Sequence, residues 1–265
     1  MNDTFPQITQ TDRLCMAGAH FGPRGGTHTS RTMMLAELTD LLSSTPSDLA
    51  RASFKNAVIT ENVLGKSTGS NRRLTMQRLS ELYGLDAHIP LFTTLHRLWN
   101  LDPNGRPVIA LLCSLARDPL LRSTAPYVLS MNVGEEVMHN EYLDSIRAHV
   151  DTRLNDSILD KVRRNSSSTW TQSGHLVGRV RKRRQAVSPS FGAMSLALWL
   201  GWLEGRVAED LLGSFWMRVF DAPRHVLIET VLRCKQAGLV TASIGGGVVQ
   251  IDPSSVFKDR MEDGG

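Results

Sequence analysis

The sequence predicts a mainly α protein, a helical chain with two helix-turn-helix or winged-helix-like modules and a small C-terminal β-hairpin that serves as a wing. Three observations carry that prediction. Apolar residues recur at three- and four-residue spacing from Arg31 onward, as in "RTMMLAELTDLLSS" (31–44). Prolines and glycines interrupt this pattern at helix-length intervals, with Pro46, Gly84, Pro90, Pro103, Pro107, Pro119 and Pro126 as boundaries. One alternating run, "LVTASIGGGVVQIDP" (239–253), surrounds Gly245, Gly246 and Gly247 and reads as two strands joined by a turn.

Residues 1–30, with Gly18, Gly22, Gly25, Gly26, Pro6 and Pro23 and little periodicity, are expected to form an irregular or mobile arm. Residues 31–130 form an N-terminal helical domain with the first module. Its helices are 31–44, a segment capped by Ser47 with Leu49, Phe54 and Val58 inward, and a helix from about Ser70 that buries Leu74, Leu79 and Leu82 and stops at Gly84. "PLFTTLHRLWNLD" and "RPVIALLCSLARDPLLRSTAPYVLSM" supply its apolar centre. Residues 131–165 are connecting helices, broken near Asn155 and Asp156. Residues 166–254 form a C-terminal helical, winged-helix-like domain with helices predicted at 171–186 and 224–237, where Val226, Leu227, Val231, Leu232 and Cys234 face inward and Gly238 is the stop. Residues 255–265 are a polar tail.

A content of 41% hydrophobic residues in 265 is enough for a sizeable core. The three cysteines, Cys15, Cys113 and Cys234, lack CxxC spacing and indicate neither a disulfide framework nor a zinc site. The first residues have no apolar h-region, and the longest apolar run, "MSLALWLGWL" (194–203), is about half of the roughly 20 residues that span a bilayer. A cytoplasmic protein with no membrane partner is expected. The net charge of +4 is unevenly placed. Residues 161–184 hold Lys161, Arg163, Arg164, Arg179, Arg181, Lys182, Arg183 and Arg184 with no acid, and such a concentration of charge calls for a polyanion.

"GKST" (65–68) ends like a phosphate-binding P-loop, but the glycine required five residues before Gly65 is Thr60. The stretch reads instead as a polar turn ahead of a basic helix. In a helix-turn-helix such a turn holds phosphates and the helix start reaches bases, which makes Lys66, Ser67, Thr68, Ser70, Asn71, Arg72, Arg73 and Arg78 a candidate DNA contact. In the second module a Ser/Thr-rich start precedes Trp170, with Thr171, Gln172, Ser173 and His175 in the first helical turn and Arg179, Arg181, Lys182, Arg183 and Arg184 following. His139 and Glu141, with His20 and His28, lack an HExxH spacing or a carboxylate cluster and read as surface residues. No G-x-S-x-G elbow surrounds Ser188, Ser190 or Ser195. Neither a cofactor nor a metal is implied, and no enzyme is expected.

Three blocks, "ITENVLGKSTGSNRRLTMQRLSELYGL" (59–85), "VIALLCSLARDPLLRSTAPYVL" (108–129) and "STWTQSGHLVGRVRKRRQAV" (168–187), in that order, resemble the BrxA proteins of bacterial BREX phage-defence systems. The resemblance implies a small helical protein with winged-helix-type modules that binds double-stranded DNA and is not itself an enzyme. The function expected is therefore DNA docking through basic helices with little sequence preference. The alternatives are an adaptor that meets other phage-defence subunits and a dimeric winged-helix transcriptional regulator.

Overall fold

The computed structural model describes residues 10–19, 26–44, 49–150, 154–245 and 248–256. Among them the chain forms twelve α-helices and two antiparallel two-stranded hairpins. The first helices are α1 (Gln10–Met16), α2 (Leu35–Ser44), α3 (Arg51–Lys55, continued as a π-helical segment Asn56–Thr60) and α4 (Gly69–Tyr83). Next come α5 (Pro90–Leu101), α6 (Arg106–Arg117), α7 (Pro119–Arg122), α8 (Ala125–Ser130), α9 (His139–His149) and α10 (Asp156–Gln172). A hairpin of β1 (Leu176–Val177) and β2 (Arg183–Arg184) separates these from α11 (Phe191–Leu203) and α12 (Arg224–Gln236), and β3 (Thr241–Gly245) and β4 (Val248–Asp252) close the order.

The centre is built on α6 and α11, which lie against each other. Val108–Ala116 and Gly192–Gly201 are buried without interruption, so neither helix has a polar face, and this is why their sequences read as continuous apolar runs. Their junction is close. Asp102, after α5, accepts Gly105 N–H at 3.0 Å and Gly192 N–H at 2.9 Å, and a Cβ on Gly192 would lie 2.6 Å from the Asp102 Cβ. Around this pair α5, α12 and the 3₁₀ segment Phe215–Val219 add apolar faces, with Trp99, Trp170 and Trp216 fully enclosed.

Most local expectations match. Helix α4 starts at Gly69, one residue before the expected Ser70, and Gly84 ends it in the left-handed region; its cap is Thr68, which accepts Asn71 N–H. Asn155 caps α10 by accepting Ile158 N–H, at the predicted break. Gly238 follows α12 with φ +69°. Strands β3 and β4 pair from Thr241–Asp252 to Gly245–Val248, with Ala242, Val249 and Ile251 buried. Residues 246 and 247 and the proposed cap Ser47 lie outside the described residues.

Four expectations differ. Of the N-terminal arm, residues 10–19 and 26–30 are built in: Leu14, Ala17, Ala19, Thr27 and His28 are buried. Leu74 is only half-buried, because Thr75 and Met76 take the inward face beside it. Leu232 is 40% exposed, since Val231 and Cys234 fill the inner face of α12. No helix forms over 171–186. Instead α10 runs through the Ser/Thr stretch to Gln172, with Ser166 and Thr171 bonded to neighbours or within the helix: Ser166 Oγ lies 2.8 Å from Tyr142 Oη, and Thr171 Oγ1 donates to Ser167 O at 2.8 Å. Gly174, at φ +86°, then closes the helix, with His175 N–H on Trp170 O at 2.9 Å and Gly174 N–H on Thr171 O at 3.1 Å.

Candidate nucleic-acid interface

The basic segment folds as a hairpin at the end of α10. Leu176 pairs with Arg184 and Val177 with Arg183, leaving Gly178, Arg179, Val180, Arg181 and Lys182 as the loop. Gly178, at φ +108°, is required there, because a Cβ would collide with the carbonyl oxygen of Arg181. The outer edge of β2 is also paired: Val137 N–H donates to Lys182 O at 2.8 Å, Gly134 N–H to Arg184 O at 2.8 Å, and Arg184 N–H to Glu135 O at 2.9 Å. The base of the hairpin is thus fixed on both sides and only its tip is free.

This geometry divides the predicted residues of the second module. Gln172 Oε1 accepts Leu35 N–H at 3.1 Å, and Thr171 Oγ1 accepts from Lys182 Nζ at 2.7 Å. Ser173 and His175 are buried, so neither presents itself to a groove. His175 Nε2 donates to Val219 O at 2.8 Å, its Nδ1 lies 2.9 Å from Ser173 Oγ, and burial pushes its pKa down to about 4, which keeps the ring neutral. Arg184 is buried too: its Nη2 donates to both carboxylate oxygens of Asp221, at 2.8 and 2.9 Å, and its Nε to Val128 O at 2.9 Å. Arg179, Arg181 and Arg183 are exposed, while Lys182 is half-buried, with its amine held below the ordinary value by that burial.

The segment that has no acid in sequence acquires three in space. Asp160 pairs with Arg163 at 2.9 Å and Arg164 at 3.1 Å; Glu136 pairs with Arg183 at 3.0 Å and, loosely, with Arg181 at 3.9 Å; Asp221 pairs with Arg184. Lys161, Arg179 and Lys182 meet no carboxylate among the described residues. Lys161 and Arg164 are exposed on α10, one turn apart, and this face leads toward Lys182 through the bond to Thr171. Sequence reasoning missed α10 as the helix that carries the hairpin. The available signal was Gly174, a helix stop placed just before the basic run.

In the first module Ser67, Thr68 and Ser70 are exposed at the start of α4, and Arg73 is exposed on its first turn. Three other cations are engaged elsewhere. Lys66 pairs with Glu37 at 3.0 Å and Arg78 with Glu81 at 2.7 Å, while Arg72 donates to the carbonyls of Lys66 at 3.2 Å and Ile59 at 3.3 Å. Asn71 Oδ1 accepts from Arg31 at 3.4 Å.

That last bond belongs to a segment that holds both modules. Thr27 Oγ1 donates to Glu81 at 2.9 Å and Arg31 reaches Asn71, both on α4, while Met33 N–H donates to Thr169 Oγ1 at 2.9 Å and Leu35 N–H to Gln172, both on α10. His28 lies between them, fully buried rather than on the surface. Its Nδ1 is 2.7 Å from Asp118 Oδ2 and its Nε2 is 2.7 Å from Thr169 Oγ1. Burial opposes ionisation of Asp118, but His28 and the backbone amides of Leu121 and His28 outweigh it and hold the carboxyl below its ordinary range. The hydrogen-bond order matches that of an acid–histidine–hydroxyl triad. Thr169 is nevertheless inaccessible and already accepts the Met33 amide, so the set acts as a latch between α7, α10 and residues 27–35.

Among the described residues no helix is long and apolar enough to cross a membrane, and no group of three His, Cys, Asp or Glu side chains could hold a metal ion. Comparison with known proteins returns no counterpart: no protein-family model, no curated protein and no solved structure matches this chain.

Proposed function

We propose that the chain is a non-enzymatic double-stranded DNA-binding protein with little sequence preference, acting in a phage-defence system. One observation carries the DNA-binding part: the β1–β2 hairpin presents Arg179 and Arg181 to solvent from a fixed base, beside Lys182 and the Lys161 and Arg164 face of α10. The order of helix then hairpin is that of a helix with its wing, and it recurs in α12 with β3–β4. Arg73 and the hydroxyls of Ser67, Thr68 and Ser70 supply a second contact, in a module tied to the first through residues 27–35. The defence setting is supported by the resemblance of the blocks at 59–85, 108–129 and 168–187.

Binding to a random duplex at several salt concentrations tests the reading. If about six cations each neutralise one phosphate, log K falls with log salt at a slope of about −5. A salt-independent complex, or no complex at low salt, overturns it. A methyltransferase gene and an ATPase gene next to this one would support the defence setting.

A second reading, an adaptor for an acidic protein subunit, is favoured by Val133, Met138 and Val177, which are exposed beside the same cations. It predicts no binding to random duplex. A dimeric regulator would bind only its operator duplex, so the same titration separates the three.

A further inference from the structure

The apolar residue at the hairpin tip is unlike any other on the surface. Val180 is 90% exposed, more than any other large hydrophobic side chain among the described residues, and it stands between Arg179 and Arg181. An apolar side chain fully in water at the end of a loop contributes nothing to this fold. The loop that carries it is nonetheless tightly built. Gly178 turns it beneath the Arg181 carbonyl, Lys182 Nζ ties it to Thr171 Oγ1 at 2.7 Å and to Gly178 O at 3.2 Å, and Arg183 reaches Glu136 at 3.0 Å and Gly134 O at 3.1 Å. Arg184, buried at the base, anchors the whole to Asp221. A rigid stem with one apolar point and two flanking guanidiniums has a specific chemical complement. The minor groove is too narrow for a helix but admits a slender tip, its negative potential attracts arginine, and its floor is a stack of base edges into which a short apolar side chain can press.

We propose that Val180 acts as a wedge in the DNA minor groove, entering a base step between phosphates or groove edges held by Arg179 and Arg181, and kinking the duplex toward the major groove. This inference rests on the DNA-binding reading above and specifies how that site treats its ligand. A wedge must unstack a step, so it favours steps that unstack readily, such as TA and CA, over stiff A-tracts. The protein therefore selects deformable DNA without reading a sequence.

The test uses the full chain and short duplexes carrying a donor and an acceptor dye at opposite ends, one with a central TA step and one with a central A-tract. Wild-type protein is expected to raise energy transfer on binding and to prefer the TA duplex by a factor on the order of five to ten. Val180→Ala, at an exposed position that leaves the fold intact, is expected to keep the salt slope while losing both the rise in energy transfer and the preference. Arg179→Gln with Arg181→Gln reduces the salt slope instead. Binding by wild type with no change in energy transfer, or bending by Val180→Ala equal to wild type, overturns the wedge and leaves DNA binding standing. Failure of wild type to bind either duplex at low salt overturns both.

Discussion

Asp221 grips Arg184 through both carboxylate oxygens, at 2.8 and 2.9 Å, and the same carboxylate accepts Val187 N–H at 2.9 Å. The most basic run of the sequence thus ends in a residue that is not a surface charge. The Arg184 side chain is 1% exposed, and it joins β2, α8 and the segment after Val219 into one unit.

Removing the acid should therefore be a folding defect. Asp221→Ala leaves a buried guanidinium without its counterion and is expected to cost about 3 kcal/mol, within the range for breaking one side of a buried pair. The urea midpoint reads this directly. Substituting Arg181, Lys182, Arg183 and Arg184 together would mix this defect with any weakening of DNA binding.

The tip arginines should behave in the opposite way. Arg179→Gln with Arg181→Gln is expected to change stability by no more than about 0.5 kcal/mol, as for exposed positions. It is expected to flatten the slope of log K against log salt by roughly two, one for each phosphate that is no longer neutralised. Unchanged binding with an unchanged slope would place the interface elsewhere.

His175 sets a pH dependence. Burial lowers its pKa from an ordinary 6.5 to about 4, so the unfolded chain takes up the proton before the folded one does. Stability from this group is complete above about pH 6.5 and falls as pH drops toward 4, by roughly 3 kcal/mol across the window. His175→Gln, which retains an N–H donor for Val219 O, is expected to be less stable at neutral pH but to show a shallower fall in melting temperature between pH 7 and 4. An identical pH profile in the variant would remove His175 as the cause.

The Thr169 hydroxyl serves two groups at once, the Met33 amide at 2.9 Å and His28 Nε2 at 2.7 Å. Thr169→Val keeps the shape and deletes both bonds. The expected cost is about 1–3 kcal/mol per polar group left unpartnered. Because the loss falls on residues 27–35, hydrogen exchange should accelerate there while α6 and α11 stay protected.

Helix positions were legible wherever one local signal decided them. Gly84 closes α4, Asn155 opens α10, and Gly238 closes α12, each by a bond or a backbone angle set within a few residues. The C-terminal hairpin was legible from period-two alternation in the same way. The second module was misread because Ser166, Ser167, Ser168 and Thr169 look like a helix start in sequence. Inside the fold, packing against residues 27–35 and Tyr142 makes them a helix interior. The candidate site was legible as a region and not as residues: Arg179, Arg181 and Lys182 remain at the tip, while Ser173, His175 and Arg184 are buried.

By itself the sequence determined the helical class, the apolar stretch from Pro90 to Met131 that contains α5 and α6, the closing hairpin and the place where positive charge gathers; that α11 packs against α6 as the other half of the centre came from the fold. Period, caps and composition act over a few residues, so they can be read without knowing what lies nearby. Only the tertiary structure decided which of those charges are free. Asp160, Glu136 and Asp221 closely pair Arg163, Arg164, Arg183 and Arg184, half of the eight cations in a run that sequence shows without a single acid, and Glu136 and Asp221 reach their arginines from 47 and 37 residues away along the chain. A charge's availability depends on what folds against it through space.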